Sequence, residues 1–257
     1  MARGEESGTV ARADGVPLAY RRLRGRGPGV VFLGGFRSDM TGQKAEALAA
    51  FCEARGQAYL RLDYSGHGAS GGRFEDGTIG IWADDAALLI ERLTEGPQIL
   101  IGSSMGGWIA LLLAKRWPER VAGLIGIAAA PDFTADLPER RMTPEQRATL
   151  MREGIVHLPS AYGDPTPITR ALIEDGNRHR LVLNAGPIPL AAPVRLLHGQ
   201  QDPDVDWRLS LRTAEAIASP DVQIILVKDG DHRLSRPQDL TLLTRTLDAL
   251  LSDAAGG

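Results

Sequence analysis

Five residues carry the strongest chemical signal in this chain: Gly102-Ser103-Ser104-Met105-Gly106, a G-x-S-x-G pattern that Ser104 fits and Ser103 does not. An apolar run, Pro97-Gln98-Ile99-Leu100-Ile101, precedes it, and Trp108-Ile109-Ala110-Leu111-Leu112-Leu113-Ala114 follows. This reads as a buried strand handing over to a helix buried on most faces. A serine on such a turn sits on strained backbone, with its hydroxyl exposed above the strands. The flanking glycines suit a crossing that leaves little room for a Cβ. The helix N-terminus beneath favours negative charge, as an oxyanion requires. The chemistry this points to is nucleophilic attack on an acyl carbon.

A serine hydroxyl is a weak nucleophile until a base takes its proton, and that base must be held in one tautomer. The chain has five histidines: His67, His157, His179, His198 and His232. His232 follows the last apolar run, in Asp229-Gly230-Asp231-His232-Arg233, and is the natural base. His198 ends the preceding run and is expected to shape the following turn. His157 and His179 lack metal-ligand spacing and read as surface residues. The orienting acid belongs after the penultimate strand, giving the order serine, acid, histidine. Asp202, Asp204 and Asp206 all lie there, and this pattern does not separate Asp202 from Asp204. Asp204 and Asp206 are also suited to capping the next helix. Asp229 and Asp231 adjoin the histidine, where side-on geometry is rare, and Asp63 is a more distant alternative. Charge developing on a carbonyl oxygen needs preorganised N–H donors. The backbone amides of Met105 and Phe36, the latter in Gly34-Gly35-Phe36, are the expected pair. Arg37 beside them could anchor an anionic substrate group through a bidentate contact.

These residues need a scaffold, and the alternation of elements from residue 30 supplies one. Val30 to Leu33, Ala58 to Leu62, residues 98–102, Val121 to Ala128, Val194 to His198 and Val222 to Val227 read as buried strands. Between them lie helical patterns. Thr41 is the expected cap of the first, with Ala45, Leu48, Ala49 and Cys52 on one face and Gly56 as its stop. Thr78 caps a second, with Ile79, Trp82, Ala83, Ala86, Ile90 and Leu93 facing inward. A helix follows Ser104, another lies near 207–218, and Pro237 opens the last. Near-continuous apolar strands alternating with helices imply a mostly parallel sheet covered on both faces, an α/β fold with its ligand site at the strands' carboxyl ends. One stretch breaks the rhythm. Residues 132–190 are rich in proline and polar residues, with helical pieces from Pro144 to Glu153 and Pro167 to Glu174. A connection this long suits a helical cap over the site.

Composition narrows the classes. Of 257 residues 24% are charged and the net charge is −3, too balanced for a nucleic-acid binder. The basic run from Arg21 to Arg26 reads as a solvated strand edge and loop. Cys52 is the single cysteine, which excludes a disulfide framework and a cysteine-based zinc site. No apolar run reaches the ~20 residues that span a bilayer. The start, Met1-Ala2-Arg3-Gly4-Glu5-Glu6, has no apolar region and two acids, so neither a secretory nor a transit segment is expected. The expected location is cytoplasmic.

Several segments resemble signatures of the α/β-hydrolase superfamily. Asp63-Tyr64-Ser65-Gly66-His67-Gly68-Ala69-Ser70 resembles its D-x-x-G-x-G-x-S loop, and the resemblance implies that His67 is a scaffold residue. His198-Gly199-Gln200-Gln201-Asp202-Pro203-Asp204-Val205 resembles H-G-x-x-D-x-x-V, which favours Asp202 as the acid, and Asp231-His232 resembles the base loop. Gly96 to Leu100, Gly102 to Trp108, Arg195 to Gly199 and Asp231 to Arg233 are more specifically similar to animal mitochondrial depalmitoylases, which also act as acyl-glucuronide esterases. The resemblance implies a bacterial relative that hydrolyses ester or thioester bonds, with a small acyl ester, an acyl thioester or an S-acylated protein as substrate. No metal or cofactor is expected. A peptidase or C–C bond hydrolase would use the same serine, acid and histidine, and a non-catalytic binding protein could retain the fold. The presence of Ser104, Asp202 and His232 together argues against the last.

Overall fold

The computed structural model of the protein describes residues 4–160, 163–183 and 186–256. In chain order the first half is β1 (Glu6–Ala11), β2 (Pro17–Leu23), β3 (Arg26–Leu33), α1 (Gln43–Arg55), β4 (Gln57–Leu62), α2 (Ile79–Leu93), β5 (Gln98–Ser103), α3 (Met105–Arg116) and β6 (Val121–Ile127). Next come α4 (Leu137–Arg141), α5 (Pro144–Glu153), β7 (Ile155–Ser160), β8 (Gly163–Thr169) and α6 (Arg170–Arg178). The chain closes with β9 (Val194–Gly199), α7 (Arg208–Ala216), β10 (Val222–Val227) and α8 (Pro237–Gly256).

The apolar runs form one eight-stranded sheet in the order β1-β2-β4-β3-β5-β6-β9-β10. From β4 to β10 neighbouring strands are parallel, while β1–β2 and β2–β4 are antiparallel. Period-two side chains feed two separate cores. Val31, Leu33, Leu100, Leu124 and Leu196 pack with Trp82, Ile109 and Leu113 of α2 and α3. Val30, Phe32, Ile99, Ile101, Ile125 and Leu197 pack with Leu48 and Cys52 of α1 and Leu243 and Leu247 of α8. Both faces are covered, as the continuous apolar strands require. After β3 the chain turns back to β4, and later it returns to the other side of β3 as β5. The order in which strands are added therefore reverses between β3 and β5, the position at whose carboxyl ends such sheets bind ligands.

Three local expectations need correction. Thr41 does not cap α1: Gly42 holds that position, and the Thr41 hydroxyl donates to Asp39 Oδ1 at 2.5 Å. Gly56 does end the helix, at φ 67°. The basic run is not the sheet edge. β2 lies between β1 and β4, and Arg21 and Arg22 pair with Glu46 and Glu6, so the edge belongs to β1. Pro167 to Thr169 are strand, and the helix begins at Arg170, capped by Thr169 Oγ1. Here Val156, Leu158 and Ile168 bury one face of the β7–β8 hairpin, and that packing overrides the helical pattern. The helix from Pro144 to Glu153 is present with a full capping box, and Thr78 caps α2 through Ile81 N–H at 3.3 Å.

Positions 161, 162, 184 and 185 of the expected cap lie outside the described residues, as do Met1 to Arg3. The remainder of 132–190 holds three helices and the hairpin. Its two ends are drawn together by one buried carboxylate. Asp132 accepts the amides of Leu181, Val182 and Leu183 at 2.7, 2.8 and 2.7 Å. At the far side Asp175 accepts Gly80 N–H at 2.7 Å, fixing α6 to the start of α2.

Candidate active site

Ser104 takes φ 54° and ψ −116°, a conformation L residues rarely adopt. Its backbone holds because Ser104 N–H donates to Ile127 O at 2.9 Å and Ser104 O accepts from Gly107 and Ala130. The elbow glycines answer to contact rather than to dihedral freedom. A Cβ on Gly102 would sit 2.2 Å from Gly106 O, and one on Gly106 would sit 2.0 Å from Leu33 O. Helix α3 thus crosses the end of β3 with no room for a methyl group. Among the described residues five non-glycine positions have positive φ, Arg37, Ser104, Ala128, Asp132 and Leu234, and each follows the carboxyl end of a sheet strand. Backbone strain concentrates at functional sites.

Ser104 Oγ lies 3.1 Å from His232 Nε2, and His232 Nδ1 lies 2.7 Å from Asp202 Oδ2. A carboxylate only accepts, so Nδ1 carries the proton and Nε2 is free to accept from the serine. The separation of 128 positions between Ser104 and His232 is closed by glycine contact again. A Cβ on Gly199 would meet Gly230 O at 2.2 Å, and Gln201 N–H donates to Gly230 O. The loops after β9 and β10 therefore touch main chain to main chain. Asp231 Oδ1 accepts Arg233 and Leu234 N–H, shaping the turn around His232. Lys44 Nζ reaches from α1 to Arg233 O at 2.5 Å.

Asp202 gathers four donors. Oδ1 accepts Asp204 and Val205 N–H at 2.8 and 2.9 Å, and Oδ2 accepts both His232 and His198 Nε2, the latter at 3.1 Å. Burial acts to raise this carboxyl, but the hydrogen bonds from His198 and His232 outweigh it and hold it well below the usual carboxylate range. His198 is fully buried, and its Nδ1 accepts the Ser210 hydroxyl at 2.7 Å. It shapes the turn after β9, as expected, since Nε2 also faces Val205 O at 3.2 Å, and in doing so it braces Asp202. The sequence signal was its place four residues before Asp202. The other acids are occupied elsewhere. Asp204 is exposed and pairs with Arg141 of α4. Asp206 accepts Arg208 N–H, and Asp229 pairs with Arg236. Asp63 is buried on the amides of Met40 and Ala69.

The loop after β3 lies against the elbow. A Cβ on Gly35 would sit 3.3 Å from Ser103 O and 3.5 Å from Ser104 Cβ. This places Phe36 beside Ser104 and across from Met105, the first residue of α3. Phe36 is half-buried and meets Phe74, Trp82 and Phe133 edge-on at 5.0–5.8 Å, an aromatic cluster beside the elbow. His67 is buried behind it, and Arg37 N–H donates to His67 Nε2 at 3.2 Å. Arg37 Nη1 points to the β7–β8 hairpin. His157 is exposed, while His179 is half-buried and accepts Trp108 Nε1–H at its carbonyl. A cavity of about 290 Å³ lies between α2, α3 and the end of α6, lined by Lys115, Arg116, Arg178 and Arg180 among others; none of its lining residues belongs to the Ser104 group. Asp202, Asp204 and His232 offer atoms within 4.8 Å of one another, but both Asp202 oxygens and His232 Nδ1 are already engaged as described. Burial pushes the Cys52 thiol up to about 12, so it is no second nucleophile.

The profile of the serine aminopeptidase S33 hydrolase family matches residues 29–171. The chain is 40% identical over 244 residues to the mitochondrial palmitoyl-protein thioesterase ABHD10 of Bos taurus, covering 94% of this chain and 79% of that one. The solved mouse α/β hydrolase domain-containing protein 10 superimposes with a TM-score of 0.88 at 40% identity, covering 96% of this chain and 99% of that chain. The chain is an α/β-hydrolase. A hydrolase of Agrobacterium vitis S4 is also 40% identical, with a TM-score of 0.91 over 97% of this chain and all of that one. The hydrolase belongs to the serine esterase and thioesterase group. Among its described residues no helix is long and apolar enough to cross a membrane.

Proposed function

We propose that the hydrolase cleaves carboxylic ester or thioester bonds through an acyl-enzyme on Ser104. The observation that carries this reading is the chain of contacts Ser104 Oγ–His232 Nε2, 3.1 Å, and His232 Nδ1–Asp202 Oδ2, 2.7 Å. His232 takes the Ser104 proton as Oγ bonds to the acyl carbon, and Asp202 stabilises the imidazolium that forms. The Phe36 and Met105 amides hold the oxyanion. The tetrahedral intermediate collapses, the bond to the leaving oxygen or sulfur breaks, and His232 returns the proton to it. Water then attacks the ester carbonyl with His232 again as base. The product acid leaves and Ser104 regains its proton.

Similarity to the ABHD10 thioesterases supports an S-acyl substrate, small-molecule or protein-borne. The aromatic cluster of Phe36, Phe74 and Phe133 supports an apolar acyl group. Residues 132–190 serve as the cap that selects it, with Asp132 as the clamp at its base. The serine aminopeptidase description of the matched family supports a second reading, amide hydrolysis at the same serine. One experiment addresses both. Matched p-nitrophenyl esters, acyl thioesters and aminoacyl p-nitroanilides of increasing acyl length are assayed with wild type and Ser104→Ala. Ester or thioester turnover that disappears in the variant is expected. Turnover retained by Ser104→Ala removes the assignment, and turnover confined to the anilides selects the peptidase.

A further inference from the structure

We infer that Arg37 is a positioning residue that ties the β7–β8 hairpin to the loop presenting the Phe36 amide. The inference rests on the proposed role of Phe36 N–H at the oxyanion. Arg37 is held at both ends. Its main chain, at φ 58°, donates its N–H to His67 Nε2 at 3.2 Å. A backbone N–H only donates and a carbonyl only accepts. His67 Nδ1, 3.2 Å from Ser65 O, therefore carries the ring proton, and Nε2 stays bare for Arg37. Tyr64, Phe74 and Trp82 pack edge-on around the ring at 5.0–5.5 Å. Burial pushes the ring down to about 4, and it keeps this neutral form at physiological pH.

The side chain makes the second attachment. Nη1 donates to Asp164 O at 2.9 Å, Pro165 O at 3.2 Å and Thr166 Oγ1 at 3.2 Å, three consecutive residues of β8. These contacts span nearly half the chain, 127 to 129 residues. Phe36 thus lies between Gly35, packed on Ser104, and Arg37, pinned by His67 and by the hairpin. Its amide is aimed from both sides. The competing role for Arg37, a bidentate contact to a substrate carboxylate, would have to be made by Nε and Nη2, since Nη1 faces the hairpin.

The two roles separate in kinetics. Wild type, Arg37→Ala, Arg37→Lys and Thr166→Val are assayed with p-nitrophenyl butyrate and with mono-p-nitrophenyl succinate, one neutral and one anionic. Hydrogen exchange is followed in peptides covering 34–38 and 163–169. Removing one oxyanion donor outright lowers kcat by about 10²–10³. Misaiming one is expected to lower it about tenfold, equally for both esters, with KM little changed. Arg37→Lys recovers part of the loss, Thr166→Val shows a smaller loss, and both peptides exchange faster in Arg37→Ala. A KM increase confined to the succinate ester overturns the inference in favour of a substrate anchor. Unchanged kcat, or unchanged exchange in the 34–38 peptide, overturns it too. Absence of Ser104-dependent turnover in wild type strikes the ester-hydrolase reading instead, and the exchange comparison then decides on the clasp by itself.

Discussion

Asparagine at position 202 changes one atom of a group that receives four N–H donors and has none to give. In the wild-type protein Asp204 and Val205 amides meet Oδ1, and His198 and His232 meet Oδ2. The carboxamide offers one oxygen and one NH₂, so either orientation turns two donors against a third. With NH₂ toward the histidines, His232 must accept at Nδ1, its proton moves to Nε2, and it can no longer take the Ser104 proton. With NH₂ toward the loop, the tautomer survives but the turn after β9 loses both its anchors. A donor left buried without an acceptor costs about 1–3 kcal/mol; Asp204 N–H can turn to water and His198 Nε2 keeps Val205 O, so Asp202→Asn is expected to destabilise by about 1–3 kcal/mol. The kcat loss is expected to lie between about 10² and 10⁴, the upper value being that of the tautomer switch in serine proteases. Urea unfolding and kcat for a p-nitrophenyl ester measure the two effects. The pH dependence gives a third readout. The folded protein holds this carboxyl well below its ordinary value of about 3.9. The unfolded chain therefore binds the proton first as pH falls. The stabilisation is fully present above that ordinary value and is lost as pH drops through the folded value. Wild type should lose stability progressively as pH falls below about 5, more steeply than Asp202→Asn. A variant within tenfold of wild-type kcat, with parallel acid unfolding, would refute the reasoning.

Three further substitutions test the scaffold. Ser104→Gly relieves the strain at φ 54° and is expected to raise stability by about 1 kcal/mol while turnover disappears, both read from urea midpoints and ester assays. Gly106→Ala puts a methyl group 2.0 Å from Leu33 O, a backbone atom that cannot move aside; soluble yield and melting temperature should collapse, by about 3 kcal/mol or more. Asp132→Ala leaves three amides at 181–183 without their acceptor. It should cost about 2–4 kcal/mol and speed proteolysis within 132–190 before the sheet unfolds, as limited trypsin digestion would report.

Local pattern was enough for much of this protein. The elbow at Ser104 is legible because strand, tight turn and helix are adjacent in sequence, and the glycines are demanded by their immediate neighbours. The six parallel strands are legible because a sheet covered on both faces draws near-continuous apolar runs, although β10 at the edge is partly exposed. The cap at Thr78 is legible because a cap acts within three residues. Where tertiary contact decided, the pattern misled or fell silent. Thr41 looked like a cap until Asp39 took its hydroxyl. Pro167 to Thr169 looked helical until Ile168 found a buried place beside Val156 in the hairpin. Asp202 and Asp204 are equivalent by position, two residues apart in one loop. Only the meeting of the β9 and β10 loops at Gly199 and Gly230 turns one carboxylate under His232 and leaves the other at the surface with Arg141. Arg37 and Asp132 draw their roles from partners 30 to 129 positions away, whereas His198 meets Asp202 only four residues on. A side chain's type and its near neighbours set what it can donate or accept. Which partner it meets across the fold depends on how two packed cores bring distant loops to one end of the sheet.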